Sequence, residues 1–342
     1  MVAALTVREP GTMKTQGTLL LTRGDVARLL DLDACIEAVE RAFRMHGEGA
    51  VPPPGILGVH AGDGGFHIKA GLYEKSGTYF VAKMNANFPR NKQLFGLPSI
   101  QGVLVLSDGE RGYPLAIMDS IEITVKRTGA ATAVAAKCLS RPDSRVVTIC
   151  GCGTQGRIQF EALLRVRPLE HAFAYDADEH QAIALASEFS GRLPVEPVTL
   201  ANLGAAVGKS DMCVTCTPSR KPYLHRENIK PGTFIAAVGA DSEEKQELDP
   251  SMFSSNKIVV DVLEQCATIG DLHHALKEGT IRKSDVHAEL GEVVAGRKPG
   301  RTSNEETIIF DSTGMALQDA AAAILVYEHA ITAGVGSRLE FS

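Results

Sequence analysis

The run Gly151-Cys-Gly153-Thr-Gln-Gly156 constrains this chain more than any other feature. It follows RVVTIC, which reads as a short buried strand, and it opens RIQFEALLRV, whose apolar residues recur at helical spacing. Between a strand and a helix each glycine has a task. The first permits a tight turn, the second lets a pyrophosphate approach the backbone, and the third lets helix and strand pack closely. Thr154 and Gln155 complete the turn, where free amides of the helix N-terminus hold phosphate. Asp176 ends the next strand, HAFAYD, about 20 residues beyond the last glycine, where an acidic side chain binds the adenosine ribose. A carboxylate there repels a 2′-phosphate, so NAD rather than NADP is the expected cofactor.

From Arg145 onward strand and helix segments alternate: HAFAYD, DEHQAIALASEF, ANLGAAVGKS, DMCVTCT, TFIAAVG, KIVVDVL and finally ETIIFDSTG. Such alternation implies an α/β fold with a doubly wound parallel sheet, whose ligands bind beyond the carboxyl ends of the strands. Thr215 and Thr217 follow one such end and Val238 and Gly239 the next, so all are candidates to line the cofactor. Asp241, just beyond, either faces the nicotinamide as an acid or base or caps a helix. The chain closes on an alanine-rich helix, MALQDAAAAILVYEHAITAG.

Before the glycine turn the pattern is different. The first dozen residues are expected to fray, and a single helix is expected from about Arg23 to His46. VPPPGILGVHAGDGG breaks regularity, and NFPRNKQLFGLP reads as a loop before the strands IQGVLVLSD and YPLAIMDS. Ile123 to Leu139 is a small-residue helix suited to close packing. Arg127 near its start offers a fork for a carboxylate, with a surface salt bridge as the alternative.

Phe66 to Phe88, FHIKAGLYEKSGTYFVAKMNANF, reads as a hairpin around Lys75-Ser76-Gly77, with the glycine in the left-handed position. That register sets Glu74 opposite Thr78 and Lys69 opposite Lys83. Alternation then separates two faces. Phe66, Ile68, Ala70 and Leu72 with Phe80, Ala82, Met84 and Ala86 form the expected core face, while His67, Lys69, Lys83, Asn85 and Asn87 share the other. Like charges directly opposite repel, so that second face belongs either in open solvent or around an anion.

The chain has 342 residues, 44% of them hydrophobic, and a net charge of -6, enough for two cored domains and without the basic surplus that nucleic acid binding needs. No apolar run approaches the roughly 20 residues of a membrane span, and no signal-peptide core opens the chain. Seven scattered cysteines point to reduced thiols in a cytoplasm. Cys213 and Cys216 have the spacing of a redox or zinc pair, but they lie in an apolar strand without a second ligand pair, so packing is the expected role and no metal is expected.

Several segments together resemble the ornithine cyclodeaminase/μ-crystallin family over almost the full length: VAKMNANFPRN, GLPSIQGVLVLSD, GYPLAIMDSIEITVKRTGAATAVAAKCLSRPDS, TICGCGTQG, VTCTPSRKP, AAVGADSEEKQELD and IIFDSTGMALQD. The second half is most similar to the archaeal-type alanine dehydrogenase branch. The resemblance implies a Rossmann domain, residues 127–314, inserted in an α+β substrate and dimerisation domain built from residues 1–126 and 315–342. It implies that Lys83 contacts substrate, Arg127 binds its carboxylate and Asp241 acts as acid or base. It also implies NAD(H) or NADP(H) as cofactor and a homodimer formed through the non-Rossmann domain.

The chain departs from the family pattern at Lys69, at His67, and at Pro54 and Gly55, where many members carry a basic residue. Lys69 and His67 are therefore candidates to bind substrate. The expected activity is an NAD-dependent oxidoreductase acting at C2 of an L-amino acid or its imine, alanine dehydrogenase-like. An ornithine or lysine cyclodeaminase, a cyclic ketimine reductase and a μ-crystallin-like binding protein are the alternatives.

Overall fold

Residues 17–341 are described by the structure, a computed structural model, and the opening residues expected to fray lie outside that range. The first half runs β1 (Thr18–Leu21), α1 (Arg23–Leu29), α2 (Leu32–Glu48), β2 (Gly55–Ala61), β3 (Gly64–Glu74), β4 (Thr78–Asn87), α3 (Asn91–Phe95), β5 (Ile100–Asp108), β6 (Pro114–Asp119) and α4 (Ile121–Leu139). The alternating half follows with β7 (Val146–Cys150), α5 (Thr154–Val166), β8 (His171–Tyr175), α6 (Glu179–Phe189), β9 (Val195–Val198), α7 (Leu200–Lys209) and β10 (Met212–Thr215). It continues through β11 (Arg220–Leu224), β12 (Phe234–Ala237), β13 (Gln246–Leu248), β14 (Lys257–Val260), α8 (Leu263–Ile269), α9 (Asp271–Lys277), β15 (Ala288–Glu289), α10 (Leu290–Val294) and β16 (Ile308–Asp311). Then α11 (Ala316–Ala333) and β17 (Ser337–Leu339) return the chain to the first half.

Two large sheets result. One is ordered β17-β1-β6-β5-β4-β3-β2; the other, ordered β15-β14-β16-β12-β10-β7-β8-β9, is parallel throughout. In the parallel sheet β7 is flanked by β8 on one side and β10 on the other, so the winding reverses there. That reversal opens a crevice at the carboxyl ends of β7 and β10, where such sheets bind ligands. The small-residue helix α4 approaches α5 closely, as its composition suggests: a Cβ on Gly129 would lie 2.9 Å from the Ile158 carbonyl oxygen.

Local chemistry changes several expected elements. The helix expected from Arg23 to His46 is two, because Asp31 leaves helical geometry and its side chain accepts the Ala34 amide as the cap of α2. VPPPGILGVHAGDGG contains the edge strand β2, paired with β3, whose glycines hide its alternation. A short helix, α3, interrupts the expected loop after β4. The hairpin has the expected register, Lys69 opposite Lys83 and Glu74 opposite Thr78, although Gly77 is not left-handed.

The hairpin's two faces are inverted relative to expectation. Phe80 and Met84, placed in the core by their polarity, are 38% and 41% exposed, and Leu57, Val59 and Val103 are exposed too. The lysine face is the inner one: α11 lies across β3, β4 and β5 and covers Tyr73, Val81, Lys83, Leu104 and Leu106. The reason is chemical. That alanine-rich helix carries Asp319, whose carboxylate pairs with Lys83, and only this face of the hairpin presents Lys83 to it.

Candidate active site

The glycine turn is built as its spacing demands. Gly151 has φ 96°, and a Cβ there would lie 2.9 Å from the Cys216 carbonyl oxygen. A Cβ on Gly156 would overlap the Gly151 carbonyl oxygen, so the third glycine sets how closely α5 sits on the strand. Gly153, by contrast, is exposed with open space before it. It also caps α5 without a side chain, which leaves the amides around Thr154 and Gln155 free for an anion. Asp176 stands beside the turn, accepting the Cys152 amide at 2.7 Å and the Asp178 amide at 2.9 Å. Open backbone at Gly153, free helix amides and a carboxylate one strand away fit a dinucleotide.

The neighbouring strand ends complete this rim. Thr215 is fully buried at the end of β10, and its carbonyl accepts the Val238 amide. Thr217 and Gly239 lie on the two turns that follow, half-buried. Cys216 donates its Sγ–H to the Cys150 and Gly151 carbonyls, and Cys213 is buried in β10, so this cysteine pair packs behind the turn.

Where the hairpin, α4 and α11 meet the turn after β16, three cations converge. Lys83 Nζ on β4 lies 2.8 Å from both carboxylate oxygens of Asp319 on α11. Arg127 on α4 donates Nε to Asp319 at 2.9 Å and Nη1 to Gln318 at 3.1 Å. Lys83 is 3% exposed, Arg127 6% and Asp319 0%, so the surface salt bridge weighed for Arg127 does not exist. Lys69 Nζ donates to the carbonyls of Thr313 and Gly314, both at 2.7 Å, in the turn between β16 and α11. Lys69 therefore ties the hairpin to the parallel sheet while adding charge to the cluster.

Burial pushes the Lys83 ammonium down to about 7, against the pull of Asp319 and with help from Arg127 and Lys69. Burial lowers Lys69 as well, and Arg127 adds to the effect. Burial alone would raise Asp319, but Lys83 and Arg127 hold it below the usual carboxylate range. Asn85 shares the wall with Lys83, since both donate to Thr124 Oγ1, each at 3.3 Å. Lys83 and Arg127 thus share the single carboxylate of Asp319, while Asp261 and Asp241 also act on Lys69, and buried charge is tolerable only when paired. Arg127 Nη2 donates to nothing among the described residues, which leaves one arm of its fork for a further acceptor.

Asp241 stands on the opposite rim. It is exposed and pairs with Lys245 at 2.6 Å, and no helix begins after it, so the capping reading falls. Its charge acts on both Lys69 and His67 on β3, favouring their protonated forms. Burial lowers the half-buried His67 and Asp241 opposes that shift. Asp319 and Gln318 were not foreseen. Their one signal was a polar Gln-Asp pair inside a run of alanines in the last helix.

The model of the ornithine cyclodeaminase/mu-crystallin family matches residues 16–334. The chain belongs to that family. Alanine dehydrogenase of Archaeoglobus fulgidus is 42% identical over 329 residues, covering 95% of this chain and 98% of that one. The solved structure of an archaeal alanine dehydrogenase dimer with bound NAD superposes with a TM-score of 0.91 at 40% identity, covering 96% of this chain and all of that one. Delta(1)-pyrroline-2-carboxylate reductase of Thermococcus litoralis, in complex with NADH and L-proline, superposes with a TM-score of 0.87 at 36% identity, covering 94% and 100%.

Proposed function

We propose that this family member is an NAD-dependent oxidoreductase acting at C2 of an L-amino acid or its imine, as an alanine dehydrogenase does. The observation that carries the reading is the buried cluster of Lys69, Lys83 and Arg127 beside the turn that leaves the carboxyl end of β16, in the same parallel sheet whose β7 leads into the open glycine turn. Residues 127–314 would hold NAD, and residues 1–126 with 315–342 would form the substrate domain, with Arg127 and Asp241 reaching the substrate from the NAD side. When bound, NAD supplies a hydride acceptor in oxidation and a hydride donor in reduction.

The chain's own residues do the rest. Arg127 and Lys83 hold the substrate carboxylate, the arginine through its fork. Lys83, at about 7, exchanges a proton with the substrate nitrogen near neutral pH. Asp241 takes the proton of the water that adds to the imine carbon, and the products are a 2-oxo acid and ammonia. Lys69 and His67 border the substrate from β3.

Simultaneous measurement of NADH and ammonia tests this reading, with NAD and a panel of L-amino acids that includes alanine, aspartate, ornithine and lysine. NADH rising in step with ammonia is the expected result and names the side chain. Ammonia without net NADH would instead identify a cyclodeaminase, and reduction of a cyclic imine alone would identify a ketimine reductase.

The exposed apolar face formed by Leu57, Val59, Phe80, Met84 and Val103 supports a homodimer, with a second copy covering this sheet. Light scattering should give twice the chain mass, and Met84→Lys should shift it to the monomer. No helix among the described residues is long and apolar enough to cross a membrane. The free cysteines are those of a reducing compartment, and a cytoplasmic location is part of this proposal.

A further inference from the structure

We infer that Glu247 is a positioning residue for the cofactor edge of the site, tying the Thr217 turn to the Gly239 turn and so setting where Asp241 stands. Its side chain is fully buried on β13. One carboxylate oxygen accepts the Thr217 amide and hydroxyl, both at 2.6 Å, and the Tyr223 hydroxyl at 2.8 Å. The other accepts the Gly239 amide at 3.1 Å. Four donors from three segments thus converge on a single side chain.

Strand pairing brings the two turns together only as far as the Val238 amide on the Thr215 carbonyl, and beyond that bond Glu247 is the side chain that joins them. They follow β10 and β12, neighbours in the parallel sheet, and a loop past the last ladder bond is free to drift unless its backbone groups are satisfied. A Cβ on Gly239 would collide with the Glu247 carboxylate and lie 2.6 Å from the Thr217 carbonyl oxygen, so glycine there is what lets the two turns touch. The Thr217 turn also abuts the glycine turn, since a Cβ on Gly151 would lie 3.1 Å from Thr217 Cγ2. Behind Glu247, Asp271 at the start of α9 accepts the Glu247 and Leu248 amides at 2.8 and 2.9 Å and holds β13 in place.

The same cluster makes the tie depend on pH. Burial, and then the neighbouring Asp271 carboxylate, push Glu247 up to about 7, while its hydrogen bonds to Thr217 and Tyr223 oppose the shift. The titratable groups facing it are Asp271 on α9, Tyr223 on β11, Cys150 at the end of β7 and Cys216 after β10. Above that value the carboxylate accepts from all four donors. Below it the buried Glu247 and Asp271 pair takes up a proton, and with that proton on Glu247 one oxygen no longer accepts and a turn loses its anchor.

Stability runs the opposite way. The ordinary value for this group is 4.5, so between 4.5 and about 7 the native state binds the extra proton, and Glu247 favours the fold more as pH falls. Loss of binding at low pH therefore does not report loss of Glu247's contribution to folding.

The inference rests on the NAD-dependent reading for the identity of its ligand. NADH fluorescence titrations of the wild type, Glu247→Gln and Tyr223→Phe, from pH 6 to 8.5, test it without substrate. Wild-type affinity should rise with pH through about 7. Glu247→Gln, which presents an amide to the amide donors, should bind roughly tenfold or more weakly with a flat pH profile. Tyr223→Phe removes one donor from the carboxylate and should move the midpoint upward; it decides the question if Glu247→Gln does not fold. A folded Glu247→Gln with wild-type affinity and pH profile, or Tyr223→Phe with an unmoved midpoint, overturns the positioning role alone. A wild type that does not bind NADH overturns the functional reading, and this inference with it.

Discussion

Asp319→Asn is expected to destabilise the protein by about 3–5 kcal/mol, because removing one partner of a buried ion pair leaves the other charge uncompensated. Here two cations lose their partner at once, Lys83 and Arg127, each almost wholly enclosed. A thermal melt should shift down by several degrees, and substrate binding should be lost as the two cations repel each other. Adding Lys83→Met to Asp319→Asn should recover part of the stability, since one stranded charge is removed; such non-additivity identifies a direct coupling.

The pH dependence has a defined sign. Asp319 is held below its ordinary 3.8, so its contribution is complete above that value and is lost as pH falls through the lowered one. The single variant should show a flatter acid limb than the wild type. A melt and acid profile identical to the wild type would remove Asp319 from its central place.

The second large effect is expected from Lys83→Met. Loss of an amino group that both donates to the carboxylate and exchanges the proton of the substrate nitrogen should lower kcat by about 100- to 1,000-fold, the size typical for removing one preorganised polar group. In the oxidative direction a neutral Lys83 is the productive form, so wild-type kcat/KM should rise through about pH 7 and that limb should vanish in the variant. Glu247 titrates in the same range, but its effect falls on cofactor binding. NADH titrations of Lys83→Met should therefore keep the wild-type pH profile. A variant that retains the kcat/KM limb would move the proton role to another residue.

Much of this was legible in the chain. GCGTQG between a strand and a helix announces its fold because each glycine answers a local steric demand: Gly151 its positive φ, Gly156 the overlap a side chain would create. The hairpin register was legible for the same reason, since turn length and alternation are properties of neighbouring residues. Strands masked by glycine or proline were not: β2 is invisible because Gly55 and Gly58 erase its pattern, and the break at Asp31 is decided by one capping hydrogen bond.

The sequence by itself determined the doubly wound sheet, the cofactor turn and the pairing of Lys69 with Lys83. The tertiary structure decided which side of that pair is the inside. Alternation states that a strand has two faces and is silent on which one a helix covers. That choice was made by α11, far along the chain, whose Asp319 lowers the cost of burying Lys83 and Arg127 and turns Phe80 and Met84 outward. Glu247 was beyond reach in the same way, because its four donors come from segments that meet only once the fold has closed.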